Sequence, residues 1–229
     1  MQLAKPAIDI GLSTARIEPA LHFFREDVGL TLDHVLAVSP AVRQHRFDAA
    51  GSVVKLNENP AAPSTGAPSG YDELIIARVG LAAELSLAAP DGAKVRLVPA
   101  GWRGVGQIAV RMKVRDVQAH TRFFSQALGL ESTPADRGAA VRCGDSLIML
   151  EPSSDAPADA SMAGPGWRYI TFQVFKVDIA HAHALSAGAR EARAPITLGK
   201  TARISMIRDP DGNWIELSQR ASIVGSLEA

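Results

Sequence analysis

A single cysteine, Cys143, occurs in 229 residues, which excludes an internal disulfide and any cysteine-built zinc cluster. Charge of neither sign is in excess, since Lys plus Arg and Asp plus Glu each total 24. With no net field and no basic run, nucleic acid is not an expected partner. Missing too is any stretch near the roughly 20 apolar residues that a membrane helix needs. The first ten residues carry no long apolar run either, so the expected location is the cytoplasm. What is present is 47% hydrophobic residues, enough for a sizeable core in one large or two small domains. Cys143 itself, beside a turn in Ala139 to Asp145, is expected to pack.

The chain is organised around residues 202–219. Ile204 and Met206 precede, and Trp214, Ile215 and Leu217 follow, the run Asp209-Pro210-Asp211-Gly212, whose proline and glycine suit a tight turn between two strands. Period-two alternation places Trp214, Glu216 and Ser218 on one face of the second strand and Ile215 and Leu217 on the other. A shift of 100 positions lays Ile17–Leu30 on Val117–Leu130 with both Phe pairs and both Gly-Leu ends coincident, evidence of an internal duplication. Phe24 and Phe124 then fall on helix faces that pack on a sheet. A shift of 120 lays residues 89–97 on the final hairpin and puts Arg96 where Glu216 stands.

Taken in order, the expected elements are a strand at 7–12, a helix at 17–28, and strands at 32–38, 42–47 and 53–56. The Pro- and Gly-rich run 58–70 reads as a linker. A strand at 72–79 and the hairpin copy at 84–98 follow, with no room for a helix between them. The pattern restarts with a strand from Gln107 to Val114, a helix N-capped by Asp116 and running to Leu128, and strands at 139–142 and 146–150. A second linker covers 152–166, then come a strand at 169–174, a helix capped by Asp178 to about 187, and the final hairpin. Four related units result, the second truncated.

Strand, helix and strands ending in Asp209-Pro210-Asp211-Gly212-Asn213-Trp214-Ile215-Glu216-Leu217, together with Arg122 to Glu131, resemble the vicinal oxygen chelate superfamily of glyoxalases, bleomycin-resistance proteins, epimerases and extradiol dioxygenases. The resemblance implies an α+β fold of tandem βαβββ units forming two glyoxalase-like half-barrel domains. These are a degenerate one at 1–100 and one at 106–220 with the better-preserved cup; crossed pairing, unit one with unit four, is the alternative. It also implies a divalent metal of unassigned identity and a small-molecule substrate. Carried over by position, the metal set is Gln107, Tyr169 and Glu216. Ala7 and Arg96 stand at the matching places of the first half, and Ile148 or Met149 at the glutamate place of the third unit.

Residues elsewhere do not complete that set. His181 and His183, two apart on a helix, diverge by about 200°, and His22, His34, His45 and His120 are expected at the surface or core edge. Lacking two histidines beside a carboxylate, an extradiol dioxygenase is not expected. The enzyme reading is a lyase, isomerase or epimerase acting next to a carbonyl. Glu216 is its metal ligand or general base and Arg111 its anchor for an anionic substrate. The alternative is a metal-free module, like the bleomycin-resistance members, holding a flat compound among Trp167, Phe172, Met149 and Trp214. A third reading is a paralogue without a working site. Oligomeric state is left open.

Overall fold

The computed structural model describes residues 2–227. The first unit comprises β1 (Leu3–Thr14), α1 (Ile17–His22) extended by a π turn over Phe23–Asp27, β2 (Thr31–Ser39), β3 (Val42–Ala49) and β4 (Ser52–Glu58). The second has β5 (Tyr71–Arg78), β6 (Leu85–Ala88) and β7 (Lys94–Pro99), without a helix. The third has β8 (Ile108–Val114), α2 (Val117–Leu128), β9 (Glu131–Ala135), β10 (Gly138–Cys143) and β11 (Ser146–Pro152). The fourth has β12 (Tyr169–Val174), α3 (Val177–Ser186), β13 (Arg190–Leu198), β14 (Ala202–Arg208) and β15 (Trp214–Arg220), and α4 (Ala221–Val224) follows. None of these helices is long and apolar enough to cross a membrane.

Two curled sheets form, and each draws one unit from each half of the chain. The eight-stranded sheet runs β13-β14-β15-β12-β1-β4-β3-β2 and the seven-stranded sheet β6-β7-β5-β8-β11-β10-β9. The favoured pairing of neighbouring units within each half thus gives way to the crossed arrangement, one with four and two with three. The connections explain it. Units two and three are joined by the short stretch 100–107, while the long linkers after units one and three are where the chain changes sheets, as short connections favour adjacent elements.

Aromatic pairs of the repeat keep their geometry as well as their sequence. Phe23 and Phe24 meet edge-on at 80° with centroids 5.1 Å apart, and Phe123 and Phe124 at 78° and 5.4 Å. Phe24 and Phe124 are fully buried in one continuous core between helices and sheets; burying such a side chain contributes about 1.5–3 kcal/mol. Asp116 caps α2 by accepting from the Ala119 amide. Asp178 does not cap α3, whose N-cap is Lys176; it lies in the first turn and ion-pairs with Arg203. Burial pushes the Cys143 thiol up to about 12, so this side chain packs and stays protonated.

Among the described residues three histidines are buried. His120 is fully buried, its Nε2 3.3 Å from Asp209 and 3.7 Å from Asp211, and it ties α2 to the turn between β14 and β15. Burial favours its neutral form, but the hydrogen bond and charge of Asp209 outweigh this and raise its pKa. His181 is also buried and meets Glu191 at 2.8 Å. His45 is buried beside Glu58. In each case a carboxylate distant in sequence makes burial of the ring affordable.

Candidate functional site

The concave face of the eight-stranded sheet encloses a cavity of about 710 Å³. Its position follows from alternation. Ile215 and Leu217 on β15 are fully buried in the core, while Trp214, Glu216 and Ser218 face the hollow, as period two requires. β12 lies parallel to β15 with Tyr169 beside Trp214 and Thr171 beside Glu216. β1 runs antiparallel to β12, pairing Asp9 with Thr171 and Gly11 with Tyr169, and parallel to β4, pairing Gly11 with Lys55. Gly11 is required here by contact: a Cβ at that position would stand 2.5 Å from the Tyr169 hydroxyl, so only glycine lets the ring lie across β1.

Superposing the two parallel strand pairs makes Lys55 on β4 the counterpart of Glu216 on β15, and Asp9 on β1 the counterpart of Tyr169 on β12. Of these four side chains, Tyr169 and Glu216 are ones the resemblance placed as metal ligands, and Asp9 and Lys55 are their counterparts in the first unit. Lys55 Nζ donates to Glu216 Oε1 at 3.0 Å and to Thr171 Oγ1 at 2.7 Å, and lies 5.6 Å from the Tyr169 ring centroid. Asp9 accepts from Lys5 Nζ at 2.6 Å, from the Val53 amide at 3.0 Å and from Gln173 Nε2 at 3.0 Å. Burial alone would raise the Asp9 pKa, but the charges of Lys55 and Lys5 hold it below the ordinary carboxylate value. For Lys55 burial wins: its pKa is lowered in spite of Glu216 and Asp9. Burial, then the charge of Glu216, raises the Tyr169 phenol well above its usual value, so the ring keeps its proton.

A divalent metal does not fit this set. Its only carboxylate facing the cavity is bonded to a buried ammonium, the carboxylate of Asp9 is consumed by three donors, and a neutral phenol is a weak ligand for a hard cation. Among the described residues no three His, Cys, Asp or Glu side chains converge as a metal set. An ammonium inside the quartet already supplies the positive charge that an ion would bring.

Of the residues singled out from sequence, Glu216, Trp214 and Tyr169 meet in this cavity. Gln107 does not: it precedes β8 in the other sheet, near Gly51, so the expected Gln107, Tyr169 and Glu216 set is not formed. Arg111 also belongs to the other sheet, bound to Asp72 at 2.6 Å and Glu73 at 3.3 Å. Trp167 is buried against Phe24 and donates to the Lys94 carbonyl; it ties the sheets together. Phe172 is core, and Met149 fills the hollow of the seven-stranded sheet with Ile75, Val98 and Leu147. The flat-compound lining thus keeps Trp214 alone, stacked on Arg208 at 4.3 Å.

Sequence reasoning missed Asp9, Gln44, Arg46, Lys55 and Arg220. A signal existed: Asp9 lies between Ile8 and Ile10, and Lys55 between Val54 and Leu56, lone charges in apolar strands that need buried partners. Arg46 donates to Gln44, Gln44 to Asn57, and Asn57 to the Tyr169 hydroxyl, at 2.7, 2.9 and 3.0 Å. The chain of bonds fixes the floor of the cavity.

Residues 104–217 match the family model described as the Glyoxalase/Bleomycin resistance protein/Dioxygenase superfamily. No curated protein matches the sequence. Among solved structures, glyoxalase I from Zea mays is similar at 15% identity with a TM-score of 0.73, covering 96% of this chain and 95% of that one. Its V278E mutant gives 14%, 0.75, 97% and 96%. A candidate dioxygenase from Bacillus subtilis gives 11% identity and a TM-score of 0.67, covering 100% of this chain and 91% of that one. At such identities the likeness concerns the fold and not the chemistry. The matched segment, units three and four, belongs to the Glyoxalase/Bleomycin resistance protein/Dioxygenase superfamily, and nearly the whole chain takes the vicinal oxygen chelate fold.

Proposed function

We propose that the cup of the eight-stranded sheet takes a small carbonyl-containing molecule and moves a proton next to that carbonyl without a metal, chemistry of the lyase or isomerase type. The observation that carries this reading is the ion pair of Lys55 with Glu216, among the described residues the one carboxylate lining the cavity. Glu216 is the general base for a proton α to the carbonyl. The Lys55 ammonium and the protonated Tyr169 hydroxyl are the donors for the oxygen that gains charge as the proton leaves. Ionic groups walled from water act more strongly on a developing charge than they would in solution.

The test is deuterium exchange at the α carbon of small ketones and aldehydes, followed by proton NMR in the presence of a chelator. Wild-type protein is expected to accelerate exchange, and Glu216→Gln to lose at least a hundredfold, a typical contribution of a positioned base. Exchange equal in wild type and variant removes the reading. A second reading, binding without turnover, is favoured by the apolar side of the cavity, where Ile204, Met206 and Trp214 stand. It predicts Trp214 fluorescence quenching by ligands that undergo no exchange.

A further inference from the structure

We infer that the cup contains a subsite for an oxyanion at Arg46 and Arg220, so that its ligand is a small acid presenting a carboxylate or similar anionic group there and its carbonyl toward Lys55 and Glu216. The placing of the carbonyl rests on the function proposed above; the anion subsite stands on charge alone. Among the described residues four cationic side chains, Arg46, Lys55, Arg193 and Arg220, line the cavity against the single carboxylate of Glu216. Lys55 takes Glu216 and Lys5 takes Asp9. Among the described residues no carboxylate forms an ion pair with Arg46 or Arg220.

Arg46 is 4% exposed, and among the described residues its buried Nε has no hydrogen-bond partner and its one side-chain bond is to Gln44. Arg220 donates to Ser222 Oγ at 3.2 Å and approaches His34 Nε2 at 3.3 Å. Its pKa is lowered by burial and then by the charge of Arg46, which outweigh Asp9, Glu216 and Asp33. Two guanidinium groups that repel one another inside a cavity cost free energy unless an anion joins them. Planar N–H forks match the two oxygens of a carboxylate and also those of a phosphate. Among the described residues none fills that role, and the hollow is open to a ligand.

The full-length protein, freed of anions by dialysis, is titrated with 2-oxoglutarate, with its uncharged dimethyl ester and with inorganic phosphate, read by Trp fluorescence and melting temperature. The acid is expected to bind at least tenfold tighter than the ester. Arg46→Gln and Arg220→Gln should each lose at least tenfold for the acid and leave the ester unchanged, while the ligand-free melting temperature of Arg220→Gln stays equal or rises, because a repulsion is relieved. A lower melting temperature in both variants with acid binding unchanged would make these arginines structural and overturn the inference. Phosphate competing with the acid supports a general oxyanion subsite, and phosphate without effect supports a carboxylate subsite. Equal binding of acid and ester, or no binding of either acid or phosphate, overturns it. If α exchange in neutral ketones persists in that case, the proposed function stands alone; loss of binding together with loss of exchange brings down both.

Discussion

The two sheets carry the same repeat and end differently at their hollows. In the seven-stranded sheet the concave face is filled by the protein itself: Val105 packs with Ile75, Val98, Ala109, Leu147 and Met149, and Trp102 covers them. Its charges are balanced on site, with Arg96 on Glu73 and Glu84, and Arg111 on Asp72 and Glu73. The eight-stranded sheet keeps an open cavity in which, among the described residues, Arg46 and Arg220 have no carboxylate ion pair. A duplicated scaffold can thus spend one copy on stability and keep strained electrostatics in the other, and the imbalance marks the copy that meets a ligand.

The largest expected contrast comes from the central cations. Lys55→Met leaves the half-buried Glu216 and the buried Asp9 with one cation fewer beside them and should cost about 3–5 kcal/mol in chemical denaturation. Its counterpart Arg96→Met should cost about 1 kcal/mol or less, because Glu73 keeps Arg111. Equal costs would erase the distinction between the two faces. Next, Trp102→Ala should uncover the filled hollow at about 2 kcal/mol and leave ligand binding in the open cup unchanged. Binding lost in that variant would show that the two hollows communicate.

A third effect depends on pH. The folded-state pKa of His120 is raised above its ordinary 6.5, so its stabilisation is complete below that value and is lost as pH rises through the folded pKa. Thermal melts of wild type should therefore lose ground to His120→Asn as pH rises from about 6 to about 8. A constant difference across that range would contradict the ion pair with Asp209 and Asp211. The smallest effect belongs to Arg111→Gln, about 0.5 kcal/mol, with no change in ligand affinity. An affinity loss there would restore the substrate role that its strand position suggested.

Much of this architecture could be seen in the sequence. The duplicated Phe pair, the hairpin at Asp209 to Gly212 and the alternation of Trp214, Glu216 and Ser218 are local patterns, and local patterns survive in a string of residues. Strands β9 and β13 were missed because they are exposed and lack an apolar face. The partners of Glu216 were not visible because sheet pairing is decided by long-range contacts: a shift of 120 leads to Arg96, whereas the crossed pairing puts Lys55 opposite. Gln107 and Arg111 were assigned to the cup by position within the third unit, and the sheet that unit joins faces a different hollow. The linker lengths held the clue, since the chain crosses between sheets only where the connection is long.

The central claim is that the Lys55 ammonium holds the place a divalent ion would take. Its most direct measurement is equilibrium dialysis of wild type, Lys55→Glu and Glu216→Gln against zinc, nickel and manganese, with bound metal determined by elemental mass spectrometry. No stoichiometric metal is expected on wild type, and a gain toward one ion per chain is expected in Lys55→Glu, where a second carboxylate would face Glu216. One ion per chain on wild type, lost in Glu216→Gln, would contradict it.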